Sequence, residues 1–509
     1  MITEHNFAFH LHTAQQMRAL DRSAIESADM AGYLLMSRAG ARAWVHISRR
    51  WVNITKMLVL CGGGNNGGDG FIVARLAHID GVKVTAITTQ APDQLHGDAR
   101  RAYMDFMAVG GACRSTDNIL RLCDEEKPDV IVDALLGTGL KSAVSGVYRQ
   151  WIESLAENTI PVAAMDIPSG ICADTGSIMG CAIKAALTVT FVGHKRGLFT
   201  GQAPEYTGQL IMEDLGIPSS VQQAHPLWGY LMNQPLACKL LPPRSRCAHK
   251  GMFGYVVLVG GDAGMPGAIR MAAEAALRTG AGRVSVVTHP SHAATINVMR
   301  PEMMCQATPS VNEIQSIIKK ANIIALGPGL GRLPWGEQWY HATITAAQAL
   351  VVDADGLYWL ATQPSHRNDW VLTPHSGEAA RLLDCTAAEV EQDRFSAAAE
   401  LQQRYGGTIV LKGAGSIIQS GHTAALVPAA NPGMASGGMG DVLTGIIAGL
   451  LAQGLSQHDA AMLGVWLHAA AARRACASLE RGMLATDIMM ALHQEVNPRT
   501  LDEPDACIL

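Results

Sequence analysis

The stretch KMLVLCGGGNNGGDGFIVARLAHID, residues 56–80, changes texture twice. Lys56–Cys61 is a short apolar run, as a buried strand requires, and Phe71–Asp80 has helical spacing. Between them, six of the ten residues from Cys61 to Gly70 are glycine, a density that lets backbone approach a ligand closely and adopt positive φ. Strand, glycine-rich loop and helix together make an anion cradle, because the helix offers free N–H groups and a positive dipole end. Asn65 and Asn66 add amide donors, or a carbonyl oxygen for a cation. A merely tight turn is the plainer alternative; Gly, Asn and Asp concentrated behind a buried strand favour a ligand.

Outward from this unit the alternation continues. KVTAITT, DVIVDALLGTG, IPVAAMDIPSG and KAALTVTFVG read as further strands with their loops, and MRALDRSAIESADMAGYLLMSRAGARAWVHI upstream reads as helical. Strands alternating with helices predict a parallel sheet covered on both faces. The prolines and polar residues of QQAHPLWGYLMNQPLACKLLPPRSRCAHKG interrupt the pattern, which places a boundary at 222/223. The alternation then restarts with YVVLVGG, RVSVVT, NIIALGPGLG, ALVVDADGL, DWVLTP and GTIVLKGAGS. The expectation is two α/β domains, 1–222 and 223–509, with a polar, loose tail after Asn497.

Gly62-x-Gly64-x-x-Gly67 matches the dinucleotide fingerprint, yet the next strand, KVTAITTQ, ends without the acidic residue that binds a ribose. An ordinary dehydrogenase is therefore disfavoured, and GxxxxGK[ST] is absent. Asp133 and Asp166 stand at strand ends, on the edge where parallel sheets bind ligands; each alone could be a helix cap. Downstream, NPGMASGGMGDVLTG (431–445) puts Asp441 at a helix start behind Gly437, Gly438 and Gly440. A carboxylate there can take a proton from a hydroxyl while backbone amides hold a phosphoryl group; capping alone would not demand three glycines. Lys412 in LKGAGS could neutralise phosphate, and TPHSGE offers His375 and Glu378. His10 and His12 read as structural or solvated.

A net charge of −5 without a basic run argues against nucleic-acid binding. No apolar stretch is long enough for a membrane span, and no secretion signal is visible. Eleven scattered cysteines without a CxxC pair read as reduced thiols in a cytoplasmic protein.

Taken together, GGGNNGGDG, VDALLGTG and MDIPSG resemble the NAD(P)H-hydrate epimerase domain. HKGMFGYVVLVGGDAGMPGA, GPGLG, TPHSGEAARLL, LKGAGS and NPGMASGGMGDVLTG resemble the ADP-dependent NAD(P)H-hydrate dehydratase. The resemblance to these bifunctional repair enzymes covers nearly the whole chain; GGG stands where GPG is expected. It implies a Rossmann-like three-layer domain followed by a ribokinase-like three-layer domain. It implies epimerisation of the R and S forms of hydrated NADH or NADPH. It also implies dehydration of the S form, with ADP giving AMP and phosphate. In the epimerase half the hydrate would lie on Asn65, Asn66, Gly67, Gly68 and Asp69, on Gly137, Thr138, Gly139, Leu140, Lys141, Ser142 and Ala143, and on Asp166. Potassium would be held at Asn66, Asp133 and Ser169. Asp133 and Asp166 are the acid–base candidates, with Lys141 a third. In the dehydratase half Ala268, Gly329, His375 and Asp441 would contact the hydrate, Asp441 as base. Lys412, Gly413, Ala414, Gly415, Ser416 and Gly440 would contact the nucleotide. Magnesium is implied, Glu378 being the one candidate ligand, and so is self-assembly into a homo-oligomer such as a tetramer. Two rivals stay open: a ribokinase-like small-molecule kinase fused to a nucleotide-binding module, and a non-catalytic dinucleotide sensor.

Overall fold

The computed structural model describes residues 9–497 except 28–30, 117, 299, 422, 430 and 477–479, so the tail beyond 497 lies outside the described residues. The chain divides into two compact units, Met1–Gly229 and Tyr230–Leu509. Unit 1 runs on past residue 222 because Val221 lies in its core and the Trp228 N–H donates to the Leu11 carbonyl at 2.9 Å.

Unit 1 carries α1 (Ala14–Ser27), α2 (Gly32–Arg50), β1 (Lys56–Cys61), α3 (Asn65–Ile79), β2 (Lys83–Thr88) and β3 (Ala112–Arg114). Then come β4 (Val130–Ala134), β5 (Val162–Met165), β6 (Leu187–Phe191) and β7 (Gln209–Glu213). The single helical run read upstream of β1 is thus two helices. The seven strands are parallel in the order β3-β2-β1-β4-β5-β6-β7. β1, β4 and β5 are buried almost end to end, which is why their sequences are continuous apolar runs instead of alternating ones. The order reverses between β1 and β4, and a doubly wound sheet opens its ligand crevice at such a point.

Unit 2 carries β8 (Tyr255–Val259), α4 (Pro266–Thr279), β9 (Arg283–Thr288), β10 (Met304–Ala307), β11 (Ile323–Leu326), β12 (Ala349–Val352) and β13 (Trp370–Leu372). There follow α5 (Ser376–Leu383), α6 (Arg394–Tyr405), β14 (Thr408–Leu411), β15 (Ser416–Ser420), β16 (Thr423–Val427), α7 (Met439–Ala452) and α8 (Gln457–Cys476). Its sheet runs β10-β9-β8-β11-β12-β13-β14-β15-β16, parallel as far as β14 and antiparallel beyond. Helix α7 lies directly on α4: a Cβ on Gly445 would overlap the Ala272 carbonyl oxygen. Only glycine allows that approach, and it fixes where the first turn of α7, with Asp441, meets the sheet edge. Among the described residues no helix is long and apolar enough to cross a membrane.

Candidate active sites

In unit 1 the crevice begins where β1 ends. The Gly62 N–H donates to the Ala134 carbonyl at 2.9 Å, and a Cβ on Gly62 would overlap the Leu135 carbonyl oxygen. Helix α3 starts at Asn65, behind Gly64 as N-cap. Asn65–Asp69, expected as loop, are therefore the opening turn of the helix, and the first amides of such a turn lack helical acceptors.

Asp133, fully enclosed on β4, accepts from the Ser169 N–H (2.8 Å), the Ser169 hydroxyl (2.6 Å) and the Leu135 N–H (3.2 Å). Burial pushes its carboxyl up to about 6 against the pull of those hydrogen bonds. Asn66 borders Gly137, in the loop that follows β4. Both polar atoms of the Asn66 amide are buried without a hydrogen-bond partner. Asp166 has φ +66° and accepts from the Phe191 N–H at 3.2 Å, the Thr190 hydroxyl at 3.3 Å and the Lys195 ammonium. Lys195, 2% exposed, also donates to Thr190 Oγ1 (2.9 Å) and the Phe191 carbonyl (2.8 Å). Two more carboxyls feel this pair. Burial pushes Asp21 on α1 up to about 6, Lys195 opposing and Asp166 adding. Burial, then Asp166 and Asp21, hold Asp69 well above the usual range.

In unit 2 the centre is Asp353, 1% exposed just beyond β12. Its Oδ1 accepts from Lys412 Nζ at 2.8 Å and its Oδ2 from the Thr444 hydroxyl of α7 at 2.7 Å. Burial opposes ionisation of Asp353, but the Lys412 ammonium together with the hydrogen bonds from Lys412, Thr444 and Thr373 outweighs it and the pKa falls below the usual value; charge pairing likewise raises Lys412 despite burial. Glu378 Oε2 lies 3.7 Å from the same ammonium and accepts from the His375 N–H at 2.9 Å. His375 caps α5, its Nδ1 accepting from the Gly377 N–H at 3.0 Å; its Nε2 lies 3.5 Å from Glu378 Oε1, and the side chain as a whole is largely exposed. Asp441 is the third residue of α7. Among the described residues nothing hydrogen-bonds its carboxylate, so it is not acting as a cap. Burial, then Asp353, push it up to about 7 while Lys412 opposes.

Residues 32–197 match the family model of the YjeF-related protein N-terminus, and residues 256–494 that of the NAD(P)H-hydrate dehydratase. The bifunctional NAD(P)H-hydrate repair enzyme Nnr of Coxiella burnetii is 44% identical over 96% of this chain and 99% of its own. The Nnr of Escherichia coli K12 is 42% identical over 97% and 95%. This chain belongs to the bifunctional NAD(P)H-hydrate repair enzymes. Unit 1 is its epimerase half and unit 2 its dehydratase half. A ribokinase-like superfamily protein of Enterococcus faecalis, 28% identical, covers 52% of the chain and 95% of its own with a TM-score of 0.50, and unit 2 has that fold.

In this repair enzyme several of the expected residues lie side by side. Gly440 abuts the Lys412–Asp353 pair: a Cβ there would lie 3.3 Å from Lys412 Nζ and 3.4 Å from Asp353 Oδ2. Gly329 adjoins Ala268, whose Cβ is 3.3 Å from the position a Gly329 Cβ would take. In the turn from Lys412 to Ser416 the Gly415 N–H is spent on the Ala429 carbonyl at 3.2 Å and the Ser416 hydroxyl on the Gly413 carbonyl at 3.3 Å; Gly413 and Ala414 are exposed. In the loop Gly137–Ala143 the Thr138 carbonyl accepts from Arg18 Nη1 of α1 at 3.3 Å. Lys141 is exposed there and has no ion pair with Asp133 or Asp166.

Asp21, Lys195 and Asp353 escaped the sequence reading. Of the two readings of His10 and His12, structural or solvated, their burial favours the structural one. The strand His10–His12 runs parallel to His194–Lys195, and burial followed by His10 and Lys195 brings His12 down to about 4. The strand that carries both histidines thus lies against the strand that carries Lys195. A histidine flanked by a buried partner strand was the available signal, but that strand is more than 180 residues away in sequence.

Proposed function

We propose that the dehydratase half returns the S form of hydrated NADH or NADPH to the reduced coenzyme by phosphoryl transfer from ADP, with Asp441 as general base. The observation that carries this reading is a half-buried carboxylate without a hydrogen-bond partner among the described residues, on the first turn of α7, beside the Lys412–Asp353 pair. Asp441 takes the proton of the ring hydroxyl as its oxygen attacks the terminal phosphorus of ADP, and AMP departs. Phosphate then leaves with that oxygen while the neighbouring ring carbon loses a proton, restoring the double bond. The Lys412 ammonium, Gly440 and the 412–416 turn at the exposed Gly413 and Ala414 hold the nucleotide phosphates, and His375, Ala268 and Gly329 border the hydrate. Glu378 is committed to the His375 N–H and to Lys412, and no group of three or more metal-ligating side chains occurs among the described residues. Magnesium would then come in on the nucleotide, where it neutralises phosphate charge.

In the epimerase half the hydrate is placed on the α3 N-terminus and the loop Gly137–Ala143. Asp166, paired with Lys195, is the better proton-handling group, since the Asp133 oxygens are taken up by Ser169 and Leu135. Asn66, Asp133 and Ser169 fit a potassium ion. The set is all oxygen, one carboxylate is enclosed, and the Asn66 amide is orphaned and buried. The ion would supply fixed positive charge at the crevice. Assembly into a homo-oligomer is part of the same reading and is measured by sedimentation.

The test is a mixture of R and S hydrated NADH given ADP and Mg²⁺ and followed by the return of nicotinamide absorbance. Recovery of the whole mixture, with AMP and phosphate released, is expected. A stable phosphorylated alcohol made from ATP would point to a kinase, and binding without turnover to a sensor.

A further inference from the structure

The turn Lys412–Ser416 is gripped from behind by a residue that the reaction does not use. Arg394 opens α6 and is 1% exposed. Its Nη2 donates to the carbonyls of Leu411 and Lys412, both at 3.2 Å. Its Nη1 donates to Glu391 Oε1 at 2.8 Å and to the Ser376 hydroxyl at 3.4 Å. The Ser376 hydroxyl in turn donates to Glu391. Gly413 has φ +152°, and a Cβ there would come within 2.6 Å of the Arg394 nitrogens. The guanidinium therefore fills the space under the turn and fixes the direction of two successive peptide planes. Of the amides in those two planes, the Lys412 N–H donates to the Pro374 carbonyl at 2.9 Å, and the second plane sets the direction of the Gly413 N–H. Ser376 follows His375 directly, so the same guanidinium also reaches the loop that borders the hydrate.

We propose that Arg394 is a positioning residue for the adenylate turn, holding Lys412 and the amides after it in register for the ADP phosphates and tying that turn to the His375 loop. This rests on the assignment of Lys412–Ser416 to the nucleotide. A rigid planar fork suits the role, because its donors meet two carbonyls and a carboxylate at once, which a lysine ammonium cannot reproduce.

The experiment uses the full chain, steady-state dehydration of hydrated NADPH with ADP varied, and the epimerase rate as a control in the other unit. Arg394→Lys and Arg394→Met should raise KM for ADP about tenfold, the loss expected for hydrogen bonds to a charged group. Glu391→Ala, which frees one side of the fork, should raise it by about threefold, and the epimerase rate should stay at wild type. Lys412→Met separates the two readings. If it leaves KM for ADP unchanged, the assignment of the turn fails and the proposal with it. If Lys412→Met raises KM while Arg394→Lys has the wild-type KM for ADP, or loses kcat alone, the positioning role is overturned and the assignment stands. Should the Arg394 variants unfold, Glu391→Ala decides, and an unchanged KM there overturns the proposal.

Discussion

Asp441 carries two opposed demands in one side chain. Its carboxyl is pushed up to about 7 chiefly by burial and by Asp353, so the base form accumulates only as the pH passes that value, and the dehydratase kcat is expected to climb through it. Asp441→Asn should cost about 10²–10⁴-fold in kcat, the range for a positioned base. The same shift works against folding. The folded carboxyl holds its proton more tightly than the unfolded one, so folding takes up a proton between the two values and stability falls as pH rises from about 4 to 7. Asparagine escapes that loss. Melting curves should place Asp441→Asn above wild type at about pH 8 and level with it near pH 4; a lower melting point at the higher pH would contradict the site geometry. The neighbouring pair behaves conversely. Lys412→Met leaves Asp353 buried without its cation, and should destabilise the chain by about 3 kcal/mol in denaturant titration.

At the scale of elements, the first turn of α3 joins the fold to the site. Asn66 belongs to that turn, its amide buried without a partner and its side chain against Gly137, in the loop that follows the strand of Asp133. Asn66→Ala should weaken potassium dependence of the epimerase rate by about tenfold or more in half-saturating concentration, as loss of one oxygen from a small donor set would. It should leave the dehydratase rate unchanged. An epimerase equally active in sodium and potassium, before and after substitution, would refute the cation reading. The strands and the loops behind them were legible because parallel strands buried on both faces are continuous apolar runs and their loops concentrate glycine. The start of α3 was not, since Asn-Asn-Gly-Gly has no helical propensity and begins a helix only because β1 and β4 hold Gly62 against Leu135. Lys195 was illegible for another reason: its acceptor Asp166 is 29 residues away, and nothing in HKRGL distinguishes a buried lysine from a surface one. Arg394 in QDRFS and Asp353 in VVDADGL were hidden likewise, by partners that only the sheet brings near.

For the whole molecule, the two halves share one repair, because a dehydratase confined to the S form strands the R form unless an epimerase feeds it. Each half has its own core and its own sheet edge, so a defect in one site should leave the other intact. Lys195→Met removes the cation that holds Asp166 and should cost epimerisation about 10²–10⁴-fold. Given mixed hydrates and ADP, that variant should recover the S share promptly and then stall. Asp441→Asn should recover almost nothing while still equilibrating the two forms, which chromatography of the hydrates would reveal. Mixing the two variants then asks how the substrate travels. If hydrate leaves one site and reaches the other through solution, equal amounts of the two variants restore full recovery, at a rate that rises with the concentration of both. If recovery in the mixture still halts at the S share, the hydrate does not pass freely between chains. The two activities would then be joined for a reason that independent sites do not provide.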